Sequence, residues 1–423
     1  MDAISRSPGG VLITVALALI ISAPAKADES PLVSVAQFGA VGDGQTLNTK
    51  AIQSAVDDLA SKGGGTLTVP EGVFRSGAIF LKPGVNLNLA EGAVLKGSAD
   101  IADYPKTRTR IEGHFEDWIP ALINADRCDH LRITGAGTLD GSGQPFWELF
   151  WARRRADART KNLDVDRPRL CFIQNSTDIT VSGIHFKDSG FWNLHLYRCT
   201  DTVVENVRFE VPSGVKCPST DGTDVDSCQN ITIRGCFYSV DDDCIALKGS
   251  KGPFALEDKD SPPVEHIRVI DCTFQRGQGM VTMGSEATIV RDVVVEHCKV
   301  TGQNVLVRLK LRPDTPQDYE DIHYRDITLD SDTGTILQIN PWRQYFDLKG
   351  QPPPKSIVRN VTLSDFKGKY GTLGSIEGNP TTEIGDIAIE NADLTLKDGR
   401  LKTSKTVTMK NVIINGQPVS SSP

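Results

Sequence analysis

Residues 269–274 read Val-Ile-Asp-Cys-Thr-Phe, and residues 295–300 read Val-Glu-His-Cys-Lys-Val. In both stretches apolar residues hold the first, fourth and sixth positions, and the third residue is one that tolerates a left-handed backbone. The pattern occurs nine times in the C-terminal two thirds of the chain, at spacings of 20 to 36 residues. Its first residues are Val181, Val204, Ile233, Val269, Val295, Tyr324, Val358, Ile389 and Met409.

The third position of this pattern is the most restricted. The nine residues there are glycine or belong to the small set that favours positive φ: Gly183, Asn206, Gly235, Asp271, His297, Asp326, Asn360, Asn391 and Asn411. A single left-handed residue between two short apolar strands predicts a bend, and across a bend an inward spacing of three replaces the strand spacing of two. Repeated at this interval, the bend predicts the coils of a parallel β-helix, each buried by its neighbours.

The N-terminal part of the chain predicts the start of the same solenoid. Residues 48–62 (NTKAIQSAVDDLASK) have the pattern of a short amphipathic helix, which we expect to cap the open end of the core. Alternating apolar residues at 67–69 and 85–89 then predict the first strands. We therefore predict an all-β fold, a single-stranded parallel β-helix with a short N-terminal capping helix.

The first 27 residues have the pattern of a signal peptide. An apolar run at 11–21 follows Arg6 and precedes Ala25-Lys26-Ala27, after which we expect cleavage. A membrane anchor is the alternative. No later run reaches the ~18 apolar residues of a membrane span. We predict an exported chain, secreted or periplasmic, in which 28–423 form one soluble, monomeric domain without a membrane contact.

The composition of the 423 residues narrows the class of protein. With 39% hydrophobic residues, 38 Gly and 23 Pro, it excludes disordered and collagen-like chains. A formal net charge of −8 argues against nucleic acid as a partner. It leaves an anionic polysaccharide open, because a local basic site can oppose the net charge.

The nine cysteines have two interpretations. Cys236, Cys272 and Cys298 hold the same inward position in successive coils, which favours free buried thiols over disulfides. Cys217 and Cys228 flank a loop and are the better candidates for a disulfide. No cysteine or histidine spacing typical of zinc occurs.

Residues 144–168 interrupt the repeat with aromatic and basic residues, among them Trp147, Trp151 and three consecutive arginines at 153–155. One interpretation is a helical excursion with a solvated basic face. The other is the wall of a carbohydrate groove, in which aromatic rings stack on sugars and guanidinium groups meet acids.

Acidic residues concentrate at 219–226 and 241–244. Asp221 and Asp242 are 21 residues apart, about one coil, so Asp221, Asp242 and Asp243 are expected to lie side by side at about the ~4.8 Å strand spacing. Carboxylates this close cannot all ionise easily, which provides a protonated acid beside an ionised base, as glycoside hydrolysis needs. Calcium binding and turn structure are the alternatives. Arg308 and Lys310 share one strand face, where they predict a site for an acidic sugar or a surface set of salt bridges.

These residues make up four motifs of a known family. Residues 219–221 (Ser-Thr-Asp) resemble its Asn-Thr-Asp motif, 242–244 its Asp-Asp-Cys, 277–279 (Gly-Gln-Gly) its Gly-His-Gly and 308–310 its Arg-Ile-Lys. Residues 38–44 also resemble the start of such enzymes. The chain thus resembles glycoside hydrolase family 28, the polygalacturonases and their relatives, over nearly all of 28–423. The resemblance implies the right-handed, pectin-lyase-like form of the β-helix.

The resemblance also implies roles for individual residues. Asp242 would be the general acid, and Asp221 and Asp243 would activate water for inverting attack on galacturonic-acid-containing pectic polysaccharide or oligosaccharide. No metal or other cofactor is implied. The residues expected to bind the substrate are Trp192, His195, Lys248, Gln278, Arg308 and Lys310, with the last two on a galacturonate carboxylate.

Gln278 replaces the histidine usual in the family, and glutamine donates hydrogen bonds but relays no proton. This departure favours a divergent specificity, and the 144–168 segment with Trp192 and His195 is similar to exo-acting members. The alternatives are attack on a branched pectin such as rhamnogalacturonan, a polysaccharide lyase acting by β-elimination, and a non-catalytic pectin-binding protein.

Overall fold

The computed structural model describes residues 31–419. Almost all of its strands pair in parallel with the strand one coil away. This confirms the predicted parallel β-helix. Residues 31–419 belong to one compact unit. The predicted signal peptide at 1–27 lies outside the described residues. Among those residues, no helix has the length and apolar character needed to cross a membrane.

The strands stack into three ladders. Ladder A begins each coil and leads into the corner that the repeat predicted. Its strands are Leu32–Ser34, Gly65–Val69, Val85–Leu89, Arg132–Gly135, Thr177–Ser182, Thr200–Glu205, Gln229–Arg234, Val264–Ile270, Ile289–Glu296, the first part of Asp318–Asp330, the first part of Ser356–Ile376, Thr382–Ile384, the first part of Ile387–Thr403, and Val407–Ile414.

Ladder B follows the corner and carries the inward residue five positions after each repeat start, except that Leu363, five after Val358, lies in ladder A. The last residues of Val407–Ile414 also pair in ladder B. Its strands are Asp43–Leu47, Gly72–Ser76, Ala93–Gly97, Thr138–Asp140, His185–Lys187, Arg208–Glu210, Phe237–Ser239, Thr273–Arg276, Lys299–Val300 and the later parts of the long strands Asp318–Asp330, Ser356–Ile376 and Ile387–Thr403.

Ladder C completes each coil, and its outward face carries the candidate site. Its strands are Ile79–Leu81, Ile123–Asp126, Cys171–Gln174, Leu194–Tyr197, Thr223–Asp226, Ile245–Lys248, Val281–Met283, Val305–Leu311, Thr335–Pro341 and the last parts of Ser356–Ile376 and Ile387–Thr403. Two pairings within residues 31–419 are antiparallel. Thr107–Ile111 and His114–Trp118 form a hairpin, and Gln417–Val419 pairs with the end of Val407–Ile414.

All nine predicted corner residues have positive φ, between 50° and 77°. Eight of them stack at the corner between ladders A and B, but Asn360 lies one corner earlier. Val361 pairs with Ile322, so Asn360 is level with Asp321, and the residue level with Asp326 is Asp365 at φ 59°. The assignment was wrong in this coil because both corners have the same apolar spacing around a left-handed residue.

The core consists of side chains that stack from coil to coil. The residues three and five positions after each repeat start are buried. Phe186, Phe209, Tyr238 and Phe274 form a continuous aromatic stack with ring centroids 4.9, 4.9 and 5.2 Å apart. Such contacts contribute about 0.5–1.5 kcal/mol each beyond the apolar area they bury. Stacking thus fixes the register of the coils.

All nine cysteines are buried and free. This confirms the interpretation of Cys236, Cys272 and Cys298, whereas the expected pairing of Cys217 with Cys228 is wrong. Cys217 packs with Trp147 and Val211 in a small outer cluster. Cys228 lies in the main core, where its sulfur accepts a hydrogen bond from the backbone N–H of Cys199.

Helix α1, Thr49–Ser61, agrees with the predicted capping helix and buries Ile52, Ala55, Val56 and Leu59 against the first coils. Helix α2, Gln144–Ala156, forms most of the interruption in the repeat. It buries Phe146, Trp147 and Phe150, so residues 144–156 are helical, as one of the two interpretations predicted. The other interpretation, a groove wall, agrees with the position of Phe150, Trp151 and Arg154 in the lining of a cavity. Within residues 31–419 the 3₁₀ helices are Val35–Phe38, Ile101–Asp103, Asn162–Asp164 and Ala255–Glu257.

Candidate active site

Asp221, Asp242 and Asp243 meet where the chain enters successive strands of ladder C. Thr223 pairs with Ile245, so the coil step here is 22 residues and Asp243 is level with Asp221. The backbone N–H of Gly222 accordingly donates to the carbonyl oxygen of Asp243 at 2.9 Å. Each of the three carboxylates has an oxygen within 4.8 Å of the others. The stacking of coils brings the predicted acidic cluster together.

Asp243 is fully buried and surrounded by donors. Its Oδ1 accepts hydrogen bonds from Thr282 Oγ1 and Arg308 Nη1, both at 2.8 Å, and its Oδ2 accepts one from Lys310 Nζ at 2.6 Å. Burial raises the pKa of Asp243, but Lys310 and then Arg308 outweigh burial and hold that pKa well below its usual range. Asp243 is therefore a carboxylate at any working pH.

Asp221 and Asp242 have the opposite electrostatics. Burial and then the charge of Asp242 raise the pKa of Asp221 well above its usual value. Burial and then the charge of Asp243 raise the pKa of Asp242. Asp242 is half-buried, whereas Asp221 is 3% exposed. The cluster thus combines a permanent anion with two groups that retain protons to higher pH.

Lys248 connects this cluster to two acids that the sequence analysis did not assign to the site, Asp224 and Glu286. Its Nζ lies 3.6 Å from Asp221, 3.4 Å from Asp224 and 4.0 Å from Glu286. Burial lowers the pKa of Lys248, but Asp224 and Asp221 raise it well above its usual value. The three acids therefore keep this buried ammonium charged.

Asp224 is fully buried, and neither of its carboxylate oxygens accepts a hydrogen bond from a described residue. Burial raises its pKa to about 7, in spite of the nearby ammonium of Lys248. The signal was available in the sequence, since Asp224 belongs to the same acidic stretch as Asp221. Glu286 had no comparable signal, because it lies on a loop outside the strands.

His195, which was predicted to bind the substrate, does not lie on the surface of the site. Its ring is fully buried between Arg169, whose Nη1 donates to Nδ1 at 2.7 Å, and Asp226, 3.5 Å from Nε2. Burial lowers the pKa of His195 to about 3, so the ring is neutral. Asp226 is held in turn by Arg110 Nε at 3.0 Å. His195 is therefore a buried structural residue of ladder C and cannot contact a substrate.

A cavity of about 630 Å³ opens above the carboxylates. Of the predicted substrate-binding residues, Trp192, Lys248, Gln278 and Lys310 line it. Gln278 is exposed, and its amide donates to the carbonyl oxygen of Asp241 at 3.2 Å. The other lining residues are Glu112, Phe150, Trp151, Arg154, Asn162, Lys216, Pro218, Ser219, Asp221, Asp241, Asp242, Ser285, Glu286, Trp342, Gln344 and Tyr345.

Arg308 does not line the cavity itself but contacts two residues that do, Gln278 and Trp342. Its Nη1 lies 3.5 Å from Gln278 Oε1, and its guanidinium lies 5.6 Å from the ring centre of Trp342. Lys310 Nζ lies 4.8 Å from the same ring centre. Both cations are therefore held by Asp243 and Trp342 in the protein itself.

Two further cations line the cavity without an acidic partner. Arg154 and Lys216 form no salt bridge with any residue of 31–419. The Arg154 guanidinium instead donates to the carbonyl oxygen of Thr160 at 3.2 Å and to the hydroxyl of Tyr345 at 3.4 Å. Both residues lie in segments outside the repeat. Lys216 was not indicated by the sequence, whereas Arg154 is one of the three consecutive arginines in the segment that one interpretation made the wall of a carbohydrate groove. The cavity thus has positive charge available for an anionic ligand.

The three-carboxylate cluster is also the one group within residues 31–419 with the geometry of a metal site. The donor set fits a metal poorly, because both oxygens of Asp243 already accept from an ammonium, a guanidinium and a hydroxyl. A divalent cation would have to lie beside Lys310 and Arg308, which repel it. The surroundings favour proton chemistry over metal binding.

Comparisons with known proteins give one consistent family. The family model described as "Glycosyl hydrolases family 28" matches residues 65–419. The chain is 28% identical over 398 residues to a "Probable polygalacturonase" of Vitis vinifera, covering 90% of this chain and 78% of that protein. It is 26% identical over 476 residues to an "Exo-poly-alpha-D-galacturonosidase" of Dickeya chrysanthemi, covering 92% and 75%.

Solved structures support the β-helix fold. The exopolygalacturonase from Thermotoga maritima superposes with a TM-score of 0.73 at 23% identity, over 92% of this chain and 93% of that one. The polygalacturonase from Erwinia carotovora superposes with a TM-score of 0.66 at 22% identity, over 92% and 97%.

Proposed function

The chain belongs to glycosyl hydrolase family 28, and from this premise we propose that it hydrolyses α-linked galacturonic acid residues of pectic polysaccharide or oligosaccharide by inverting acid–base catalysis. The observation that carries the proposal is the trio of carboxylates within 4.8 Å of one another, of which Asp221 and Asp242 line a cavity that also has aromatic, basic and further acidic residues in its walls. In this mechanism Asp242 is the general acid, and Asp221 and Asp243 hold the attacking water.

Asp242 is suited to the acid role by exposure and by charge. It is the half-buried member of the trio and lines the cavity, so its carboxyl group can reach a glycosidic oxygen. Burial and the permanent charge of Asp243 raise its pKa, which keeps it protonated at higher pH than an isolated aspartate. Protonating the leaving oxygen typically contributes 10²–10⁴-fold to the rate.

Asp221 and Asp243 lie level on adjacent coils and offer acceptors from two sides. We propose that a water between them is oriented for attack on the anomeric carbon, with Asp221 taking its proton. Asp243 is the weaker base, because Lys310 and Arg308 hold its pKa low. Lys248, 3.6 Å from Asp221, opposes the rise in the pKa of Asp221 that burial and Asp242 cause, and so favours the carboxylate form that the base role requires.

The spacing of the carboxylates bears on the stereochemical outcome. Inverting enzymes generally separate their two carboxyl groups by about 6.5–9.5 Å and retaining enzymes by about 5–5.5 Å. The nearest oxygens here lie within 4.8 Å, yet neither oxygen of Asp243 is free to form a bond with the sugar, since each accepts a charged donor. The occupied Asp243 favours water as the nucleophile, and hence inversion.

We assign substrate contacts to the cavity lining. Trp192 lies beneath Lys248, whose ammonium is 4.5 Å from its ring centre, and Lys248 and Gln278 offer donors for hydroxyl groups. Arg308 and Lys310 are paired with Asp243, so the cations we propose for the substrate carboxylate are Arg154 and Lys216. An Arg154→Gln variant is expected to raise KM about tenfold with kcat within twofold, because this contact is made equally in the ground and transition states.

The walls favour attack at a chain end. The Tyr345 hydroxyl lies 3.4 Å from Arg154 Nη1 and 3.5 Å from the carbonyl oxygen of Thr160, and Asn162 Nδ2 lies 3.0 Å from Glu112 Oε1. These contacts join the segments around the cavity across one side, which leaves little room for a continuing polymer. We therefore propose exo action, by a monomer exported from the cell after removal of residues 1–27.

The deciding experiment follows the hydrolysis of linear and branched oligogalacturonides by mass spectrometry and by NMR of the newly formed anomer. The proposal predicts saturated products one or two residues long, with inverted configuration at the first time points. Asp242→Asn should slow product formation by about 10²–10⁴-fold, and the matched Asp241→Asn variant, whose carboxyl group also lines the cavity, should not.

Other outcomes identify the alternatives. Products absorbing in the near ultraviolet, formed only with calcium and suppressed by EDTA, would indicate a lyase. Retained configuration would contradict the role of Asp243. Binding of all pectic substrates without turnover, unchanged in Asp242→Asn, would indicate a non-catalytic binding protein.

A further inference from the structure

A second cavity, of about 700 Å³, lies beside the first and is not used by the proposed reaction. We call it the side cavity. It is formed by one face of α2 and by residues 212–216, which follow ladder B, and its lining residues are Gln144, Trp147, Glu148, Trp151, Arg155, Pro212, Val215 and Lys216. Neither segment belongs to the coil repeat.

The two cavities share a wall. Trp151 and Lys216 line both of them. The Trp151 indole N–H donates to the carbonyl oxygen of Lys216 at 2.9 Å, and the Lys216 ammonium lies 5.9 Å from a Trp151 ring centre. A sugar bound against Trp151 in the active-site cavity is therefore directly next to the side cavity.

The linings of the two cavities differ in chemistry. The active-site cavity presents five acidic side chains, three lysines and an arginine. The side cavity presents apolar surface from Trp147, Pro212 and Val215, of which Val215 is 44% exposed. Its polar residues are partly paired, since the Gln144 amide donates to Glu148 at 2.9 Å.

This lining fits a sugar without a carboxylate. The C–H faces of a neutral pyranose pack on aromatic and aliphatic surface, while its hydroxyls reach the polar rim. The side cavity has two cations, Arg155 and Lys216, and one acid, Glu148, so a uronate is disfavoured there by loss of solvation of its charge against Pro212 and Val215 and not by a lack of cations.

We propose that the side cavity binds a neutral sugar residue covalently attached to the galacturonate held in the active-site cavity, and so directs the enzyme toward pectin in which neutral sugars are joined to galacturonic acid. This inference rests on the proposed function, because the occupant is part of the same substrate. The neutral sugar has two possible sources, a side branch on a galacturonate or an alternating backbone residue.

The test compares kcat/KM of the full-length protein on three oligosaccharides: linear galacturonan, galacturonan with xylose branches, and a backbone of alternating rhamnose and galacturonate. Val215→Trp fills the side cavity without touching the carboxylates. We expect it to lower kcat/KM about tenfold on one neutral-sugar substrate, the loss typical of spoiling an apolar contact. Activity on linear galacturonan should stay within twofold of the original protein.

Val41→Trp is the matched control. Val41 is 47% exposed, close to the value for Val215, and it lines neither cavity. It should leave all three substrates unchanged. The xylose and rhamnose arms separate a branch from a backbone residue. Unfolding temperature and sedimentation are measured for both variants.

The outcomes are separable. Activity on linear galacturonan with equal kcat/KM for Val215→Trp and the original protein on both neutral-sugar substrates overturns the side-cavity proposal and leaves the proposed function intact. An altered oligomeric state in Val215→Trp alone overturns it in favour of a contact between copies. Absence of turnover on all three substrates refutes the proposed function itself.

Discussion

Replacing Lys310 by methionine tests whether this ammonium serves Asp243 or the substrate. Lys310 Nζ lies 2.6 Å from Asp243 Oδ2, with the two side chains 10% and 1% exposed. Methionine removes the charge and keeps most of the apolar stem. Lys369→Met is the matched control, because Lys369 Nζ lies 2.7 Å from Asp332 Oδ1 while both side chains are 55% exposed.

The expected loss of stability follows from burial. Removing one partner of a buried ion pair costs about 3–5 kcal/mol, because the other charge is left uncompensated. Asp243 keeps its hydrogen bonds from Thr282 and Arg308, so we expect about 3 kcal/mol in the free energy of unfolding at pH 7. The exposed pair at Lys369 should cost at most about 1 kcal/mol.

The pH dependence has a definite sign. The folded-state pKa of Asp243 is depressed, so Asp243 stabilises the fold above its unfolded pKa of about 3.9, and this contribution is lost as pH falls through the folded value. Without Lys310 the depression is smaller. The gap between Lys310→Met and the original protein should therefore be largest near pH 7 and shrink below about pH 4.

Denaturant unfolding followed by circular dichroism measures the stability, and reducing-end release from linear galacturonan measures the kinetics. If Lys310 holds Asp243, then kcat falls, and Lys310→Met is non-additive with Asp243→Asn by about 1.5–3 kcal/mol. A raised KM with unchanged kcat, together with additivity within about 0.5 kcal/mol, would refute the reasoning and restore Lys310 as a direct ligand of the substrate.

Three further predictions concern other parts of the molecule. Asp242→Asn should lower hydrolysis by about 10²–10⁴-fold yet be more stable than the original protein at pH 7. The raised pKa of Asp242 means that its ionisation destabilises the fold as pH rises above about 4, so the advantage should vanish in unfolding measured near pH 3. Alkylation of the unfolded, unreduced protein should label all nine cysteines, and a disulfide-linked peptide in the digest would contradict the structure. His297→Gly should raise the free energy of unfolding by about 1 kcal/mol, since His297 has φ 56°, whereas Lys299→Gly on the adjacent strand should lower it by about 0.5–1 kcal/mol; thermal denaturation of the pair checks both signs.

The corner residues show why most of the fold could be predicted from the sequence. A left-handed backbone favours few residue types, so Asn206, Asp271 and His297, each between apolar residues at the repeat spacing, indicate corners. The one misplaced coil shows the limit of that signal. Asn360 and Asp365 are both left-handed and both followed by inward apolar residues, and strand pairing with the preceding coil decides which one belongs to which corner.

The sequence predicted which residues of successive coils lie side by side in the site, but it did not predict which of their side chains are buried. Asp221 and Asp243 lie one coil apart, and coil spacing alone brings them together. His195 lies on the same outward face of ladder C, and alternation predicts exposure for it. It is buried because the hairpin Thr107–Ile111 and His114–Trp118 packs over this part of the ladder, with Arg110 reaching Asp226.

Charge pairing explains the remaining difference between the expected site and the observed one. Sequence shows that Arg308 and Lys310 share a face near an acidic cluster, but it does not show whether their charges are free. In the structure Arg308 and Lys310 both form ion pairs with Asp243. Arg154 and Lys216, which line the cavity and form no salt bridge with any residue of 31–419, come from segments that interrupt the repeat. We therefore propose that the coils supply the reacting groups, whose spacing the β-helix fixes, and that the segments outside the repeat supply the contacts that select a substrate. It follows that substitutions in α2 and at 212–216 should change which pectin is cleaved, whereas those in ladder C should change whether any is cleaved.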